Sequence, residues 1–233
     1  ASEAQLFDHE ADEGETTNLL SDQPERAAAM AAQICEWADG IGFTFDREAL
    51  LTAPVPTIAI LASNQLLRFV NHGVKGDTGS FQLDGKSWLD LPSFRAPKVA
   101  GGRSLQIIGA IRPDSPSGVI LAHGGSRSGY SVYLDQGHLC FTACVNKKRT
   151  IVRDSTSITD SASFEAKWNP TGEMFLKVNG KLVGKADAGI LQREPENSIH
   201  IGADLHQPVG DYTTPNHFSG TIENLTFKYP NGT

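Results

Sequence analysis

The chain has 233 residues, 39% of them hydrophobic and 20% charged, an ordinary globular composition that excludes collagen-like and low-complexity classes. No apolar run reaches about 18 residues, so no membrane-spanning helix is expected. Twenty Lys and Arg against 27 Asp and Glu give a formal charge of −7 and a pI near 5.5. That is the wrong sign for gripping a phosphate backbone, so nucleic acid is not an expected partner.

Residues 1–25 carry eight carboxylates and no Lys or Arg, the composition of a solvated loop. Leu6 and Phe7 are expected in a short strand. Ser21-Asp22 can cap a helix, and Pro24 is tolerated in its first turn. Ala27, Met30, Ala31, Ile34 and Ala38 then recur at helical spacing, and Gly40 and Gly42 end the run. The reading is a helix over 24–38. Pro54 and Pro56 around Val55 mark 46–57 as a linker. No secretory signal stands at Ala1, and the sequence is expected to be a piece of a longer chain.

From Ile58 onward the periodicity changes to that of strands. Ile58–Leu61 and Leu66–Val70 come first. Ser80–Leu83 and Trp88–Leu91 flank Asp84-Gly85, a hairpin signal. Leu105–Ile111 alternates, Val119–His123 ends in two glycines, and Tyr130–Leu134 turns at Asp135-Gln136-Gly137 into His138–Asn146. Thr150–Ser155 follows. Met174–Val178 turns at Asn179-Gly180, the strongest hairpin signal in the chain, into Lys181–Lys185. Ser198–Gly202 and Gly220–Tyr229 close the series. About eleven short strands with no second helix imply an all-β jelly-roll sandwich of two antiparallel sheets, with a short N-terminal strand-helix appendage. The expected organisation is 1–45 strand and helix, 46–57 linker and 58–230 sandwich, with the allegiance of 46–79 left open.

The three cysteines are an odd count and cannot form a complete disulfide framework. Cys140 and Cys144, four apart on a strand, share a face but sit roughly 13 Å apart, too far to bridge. They and Cys35 read as free thiols. The basic run Lys147-Lys148-Arg149 reads as a solvated turn between two strands.

Beyond Ser80 the order of motifs is specific. Phe81-Gln-Leu-Asp-Gly-Lys-Ser-Trp-Leu-Asp-Leu-Pro, Gly118-Val-Ile-Leu-Ala-His-Gly-Gly and Gly129-Tyr-Ser-Val-Tyr-Leu-Asp-Gln-Gly-His-Leu-Cys-Phe follow one another. Leu176-Lys-Val-Asn-Gly-Lys-Leu-Val, Ile199-His-Ile-Gly-Ala-Asp and Phe218-Ser-Gly-Thr-Ile-Glu-Asn-Leu-Thr-Phe complete the set. Together they resemble laminin G-like, concanavalin A-like lectin/glucanase domains over residues 80–229, departing at Trp168-Asn169, where the family usually has Trp-His. Leu6-Phe7-Asp8, Asp12-Glu13-Gly14-Glu15-Thr16-Thr17-Asn18-Leu19 and Pro24-Glu25 are similar to the C-terminal end of a sulfatase. The two resemblances imply an extracellular or periplasmic bacterial protein, with a parent sulfatase catalytic domain as partner. The sulfatase nucleophile motif and metal ligands have no match, so this chain is expected to be non-catalytic.

A glycosidase on such a sandwich needs paired carboxylates about 5–5.5 Å apart for a retaining mechanism. The nearest acidic pair, Glu194-Pro195-Glu196, straddles a proline in a turn and reads as solvated. His123, His138, His200, His206 and His217 are scattered, without the spacing of a zinc site. The resemblance makes calcium the better metal question, with Asp204 and Asp211, or the Asp114–Ser117 loop, as hard ligands. Carbohydrate needs an aromatic face beside hydrogen-bonding groups. The candidates are Tyr212, Asp211, Asp204, His206, Tyr130, Arg127 and His123, with Trp88, Tyr133 and Asn146 behind them. The expected function is binding or positioning of carbohydrate, including sulfated polysaccharide. The alternative is a structural module that packs on the parent enzyme.

Overall fold

The computed structural model describes residues 6–8, 12, 14–19, 22–23, 26, 30, 33–34 and 37, and residues 57–229 except 64 and 78. Two compact units emerge, Ala1–Pro56 and Thr57–Thr233.

In the first unit Arg26, Met30, Gln33, Ile34 and Trp37 are helical, within the span expected for the helix. The remaining residues of that span, and the 46–56 linker, lie outside the described residues. Leu6–Asp8 have irregular backbone rather than the expected strand. Leu6 instead closes a local ring: its N–H donates to Asn18 Oδ1 at 3.0 Å, and its carbonyl accepts from the Leu19 N–H at 2.7 Å. A side-chain cap of this kind satisfies backbone groups that a ladder would otherwise take.

The second unit is built of β1 (Thr57–Ala62), β2 (Gln65–His72), β3 (Lys75–Gly76), β4 (Ser80–Asp84), β5 (Trp88–Leu91) and β6 (Leu105–Pro113). Then come β7 (Gly118–Gly124), β8 (Ser128–Asp135), β9 (His138–Val145), β10 (Lys148–Ser157), β11 (Ala162–Trp168) and β12 (Glu173–Val178). The last are β13 (Lys181–Asp187), β14 (Ile199–Ile201), β15 (Ala203–Asp204), β16 (Asn216–His217) and β17 (Ser219–Lys228). One half of the sandwich runs β10-β9-β8-β7-β14-β5-β2, the other β17-β6-β11-β12-β13 with β4 and β3 added at β17. β1 joins them, antiparallel to β2 and parallel to β17. One core holds both halves together: Phe69, Leu89, Tyr130 and Phe141 from the first meet Ile107, Phe164, Leu176 and Phe227 from the second. β6 shows why, since its alternating Leu105, Ile107, Gly109 and Ile111 all point inward.

One local expectation is overturned. β4 and β5 do not form a hairpin across Asp84-Gly85; β4 pairs with β17, and β5 with β2 and β14. Asp84 Oδ1 accepts from the N–H groups of Lys86 and Ser87 at 3.0 and 2.9 Å, an Asx turn that carries the chain between the two halves. A register shift between Val119 and Leu121 leaves Leu121 in the main core and puts Val119 in a second cluster. Residues 57–77 belong to the sandwich through β1, β2 and β3, and β11 is a strand that the sequence reading passed over.

The second cluster lies on the outer side of β7, β8 and β9. It comprises Val119, Ala122, Tyr133 and Cys140, with Ile151 and Tyr212 packed against it. The chain between β15 and β16 makes this cluster possible by crossing the sheet as a strap. Tyr212 meets Tyr133 edge-on at 4.8 Å. At Gly210 a Cβ would lie only 2.5 Å from the Tyr133 ring, so the strap's backbone approaches that ring as no other residue type would allow.

Candidate functional site

At one end of the sandwich four connections converge on a polar cleft of about 450 Å³. The β7–β8 turn supplies Gly125 and Arg127, the β9–β10 turn Asn146, the β13–β14 loop Arg193, Glu196 and Asn197, and the strap His206 and Gln207. Short side chains tie these walls together. Asn197 Nδ2 donates to the Gly124 carbonyl at 3.0 Å, Ser128 Oγ to the Arg193 carbonyl at 3.1 Å, and Ser126 Oγ to Gln207 Oε1 at 2.9 Å. Asn146 and Lys147 take φ of 50° and 70°, the tight turn that brings the Lys147 N–H to the Arg127 carbonyl at 3.0 Å.

Glu194 and Glu196 do not act as a pair. The Glu194 carboxylate accepts from the Val99 N–H at 2.9 Å and the Ala100 N–H at 3.2 Å, and so anchors its loop. Glu196 is exposed. Arg127, Lys147, Lys148 and Arg193 are exposed in the same turns and loop. This concentration of cations belongs to a wider asymmetry. Residues 57–233 hold 18 Lys and Arg against 15 Asp and Glu, a formal +3, whereas residues 1–56 hold 2 against 12, a formal −10. The net −7 of the chain therefore hides a mildly basic sandwich.

The sequence candidates fall into three places. Arg127, Asn146 and His206 line the cleft. Asp204, Asp211 and Tyr212 belong to the strap. Tyr212 Oη donates to Asp204 Oδ2 at 2.7 Å, and Asp204 Oδ1 accepts from the His206 N–H at 3.2 Å. Burial pushes the Asp204 carboxyl up, against the hydrogen bonds from Tyr212 and the His206 and Val209 backbone. Burial, reinforced by the Asp204 charge, holds the Tyr212 hydroxyl far above its ordinary range. Asp211 is exposed and accepts from Arg149 Nη1 at 3.3 Å, while its N–H donates to Tyr133 Oη at 3.3 Å. His123 and Tyr130 lie in the interior, at 2% and 0% exposed, with Nδ1 and Oη 3.1 Å apart. Neither offers a face to a ligand. Burial holds the His123 imidazole down to about 3. Trp88, on the outer side of β5, is half-buried with His72 stacked on its ring at 4.5 Å.

Asp204 and Asp211 do not fit calcium. The first is buried with both oxygens accepting hydrogen bonds, and the second faces an arginine. Among the described residues no three His, Cys, Asp or Glu gather as a metal site.

The sequence reading missed a gathering of histidines. His72, His200, His206 and His217 come from β2, β14, the strap and β16, yet interact around Trp88 and Asp90. Their spacing of 128, 6 and 11 residues carries no local signal; only the strand order brings them together.

No family model and no curated protein matches the chain. Solved structures do. The LG4-5 domains of the mouse laminin alpha1 chain match with a TM-score of 0.52 at 19% identity, covering 69% of this chain and 43% of that one. The binding domain of botulinum neurotoxin serotype D matches with a TM-score of 0.50 at 14% identity, covering 70% and 45%. The fold is a laminin G-like, concanavalin A-like jelly roll. The chain spans less than half the length of these structures.

Proposed function

We propose that the sandwich is a non-catalytic module that binds acidic carbohydrate, sulfated polysaccharide in particular, in the loop-end cleft. The observation that carries this reading is the cleft itself, which Arg127 and Arg193 line together with Asn146, Asn197 and Gln207. Guanidinium forks match sulfate and carboxylate geometry, and amides match hydroxyls. Fixed walls limit the ordering that a ligand must supply. The likeness to laminin and neurotoxin binding domains agrees with a binding role. The similarity of residues 5–38 to the end of a sulfatase supplies a context, in which the module holds a sulfated polymer for an exported parent enzyme. Calcium has no part in this reading.

The test is a panel of neutral and sulfated oligosaccharides, screened with calcium and with a chelator. Saturable binding to sulfated members in both conditions is expected. Flat responses across the panel would turn the reading to its alternative, a module that packs on the parent sulfatase and binds no sugar. Met30, Ile34 and Trp37, exposed by 44, 43 and 63% on the N-terminal helix, favour that alternative as apolar groups available to a protein partner.

A further inference from the structure

The strap covers a set of titratable groups for which the binding reading has no use. His200, in the middle strand β14, is only 4% exposed. Its Nε2 lies 3.5 Å from Oδ1 of Asp90, directly opposite across the β5–β14 pair. The strap lays the His206 ring 5.2 Å from that of His200. His72 on β2 stacks on Trp88, and His217 on the returning strand β16 meets Trp88 edge-on at 6.1 Å. Five charged or titratable groups therefore act on His200: Asp90 from β5, His72 from β2, His206 from the strap, His217 from β16 and His123 from β7. Four are imidazoles and one is a carboxylate. A proton on His200 would be a buried cation beside four imidazoles, with a single counter-charge.

We infer that this cluster is an acid-released latch: protonation of His200 favours lifting of residues 203–217 from the outer face of the sheet. Because His206 and Gln207 form one wall of the cleft, lifting would dismantle it. The latch rests on the histidine geometry alone; only its effect on a ligand rests on the carbohydrate reading.

The sign follows from linkage. Burial, with His206, His72 and His217 adding to it and Asp90 opposing, holds His200 down to about 4 in the closed state. With the strap lifted, His200 returns to an ordinary imidazole value of about 6.5. The open state is then favoured as pH falls below that value, by roughly 30-fold at pH 5. His217, also lowered by burial and opposed by Asp84, acts in the same direction. Asp204 acts in the opposite direction, because burial raises its carboxyl and proton uptake there favours the closed strap. The release window therefore opens below pH 6.5 and runs down towards the closed-state His200 value of about 4, with Asp204 opposing it.

Hydrogen exchange of the full chain, read by mass spectrometry at pH 7.0 and 5.0 and corrected for intrinsic rates, tests the latch without any ligand. Peptides covering 203–217 should lose protection roughly 30-fold at pH 5 and stay less protected than β8 and β9, so that the strap opens ahead of the sheet. His200→Gln should remove most of that difference. Equal strap protection at both pH values overturns the latch, and so does strap protection no lower than that of β8–β9 at pH 5, which is global acid unfolding. If His200→Gln does not fold, imidazole NMR of the unsubstituted chain decides. Strap resonances that change together with His200 protonation support the latch, and strap resonances indifferent to it overturn it.

Discussion

Asp204 and Tyr212 show how a candidate binding pair becomes a structural one. Both were legible as polar and aromatic groups in a loop, which is where ligand contacts concentrate. What the sequence did not show is that this loop folds back onto the sheet, where Tyr133 receives Tyr212 at 4.8 Å and Asp204 becomes its acceptor. Tyr212→Phe leaves a buried carboxylate short of one donor. It should cost about 1–3 kcal/mol, read as a lower urea midpoint at unchanged slope. A stability equal to that of the unsubstituted chain would mean that the bond contributes nothing. His123 makes a pH prediction at the same scale. Its imidazole is neutral in the fold and titrates near 6.5 when unfolded, so stability declines as pH falls below that value. At pH 5 the decline from this group is about 2 kcal/mol. His123→Gln should lessen the fall of the urea midpoint between pH 7 and 5, and an undiminished fall would count against the assignment.

Among elements, the turns were read well where local backbone chemistry decides and badly where partner choice decides. Asn179-Gly180, with φ of 50° and 75°, closes the β12–β13 hairpin as its residues demand. Gly180→Val forces a branched residue into the left-handed region and should cost about 1–2 kcal/mol in a denaturant titration; an unaffected midpoint would mean that the turn had relaxed to another type. Asp84-Gly85 carries a similar signal, yet its strands pair elsewhere, because a turn motif fixes a change of direction and not the neighbour across it. β11 was missed for a different reason. Ala162, Phe164, Ala166 and Trp168 alternate with polar residues and all are buried, but Ala, Glu and Lys are weak strand formers and mask the period. The cleft was legible only in part. Arg127, Asn146 and His206 were marked, whereas Arg193 and Asn197 lie on a loop without periodicity and reach the site through the β13–β14 crossover.

For the molecule as a whole, the opposed charges of the two units change what the composition means. A net −7 argued against nucleic acid as a partner, but it belongs to residues 1–56, and the sandwich with its cationic loop end is +3. Affinity for a sulfated ligand should therefore fall steeply as salt rises from about 0.05 to 0.5 M, since exposed charges are screened beyond a few ångströms at the upper end. The measurement that tests the central claim most directly is calorimetric titration of a sulfated oligosaccharide into the chain and into its Arg127→Ala/Arg193→Ala variant, in chelator. The account predicts saturable binding that weakens at least about tenfold in the variant, with the urea midpoint unchanged, because both guanidinium groups stand on the surface. No binding by the unsubstituted chain, or equal binding by the variant, would contradict it.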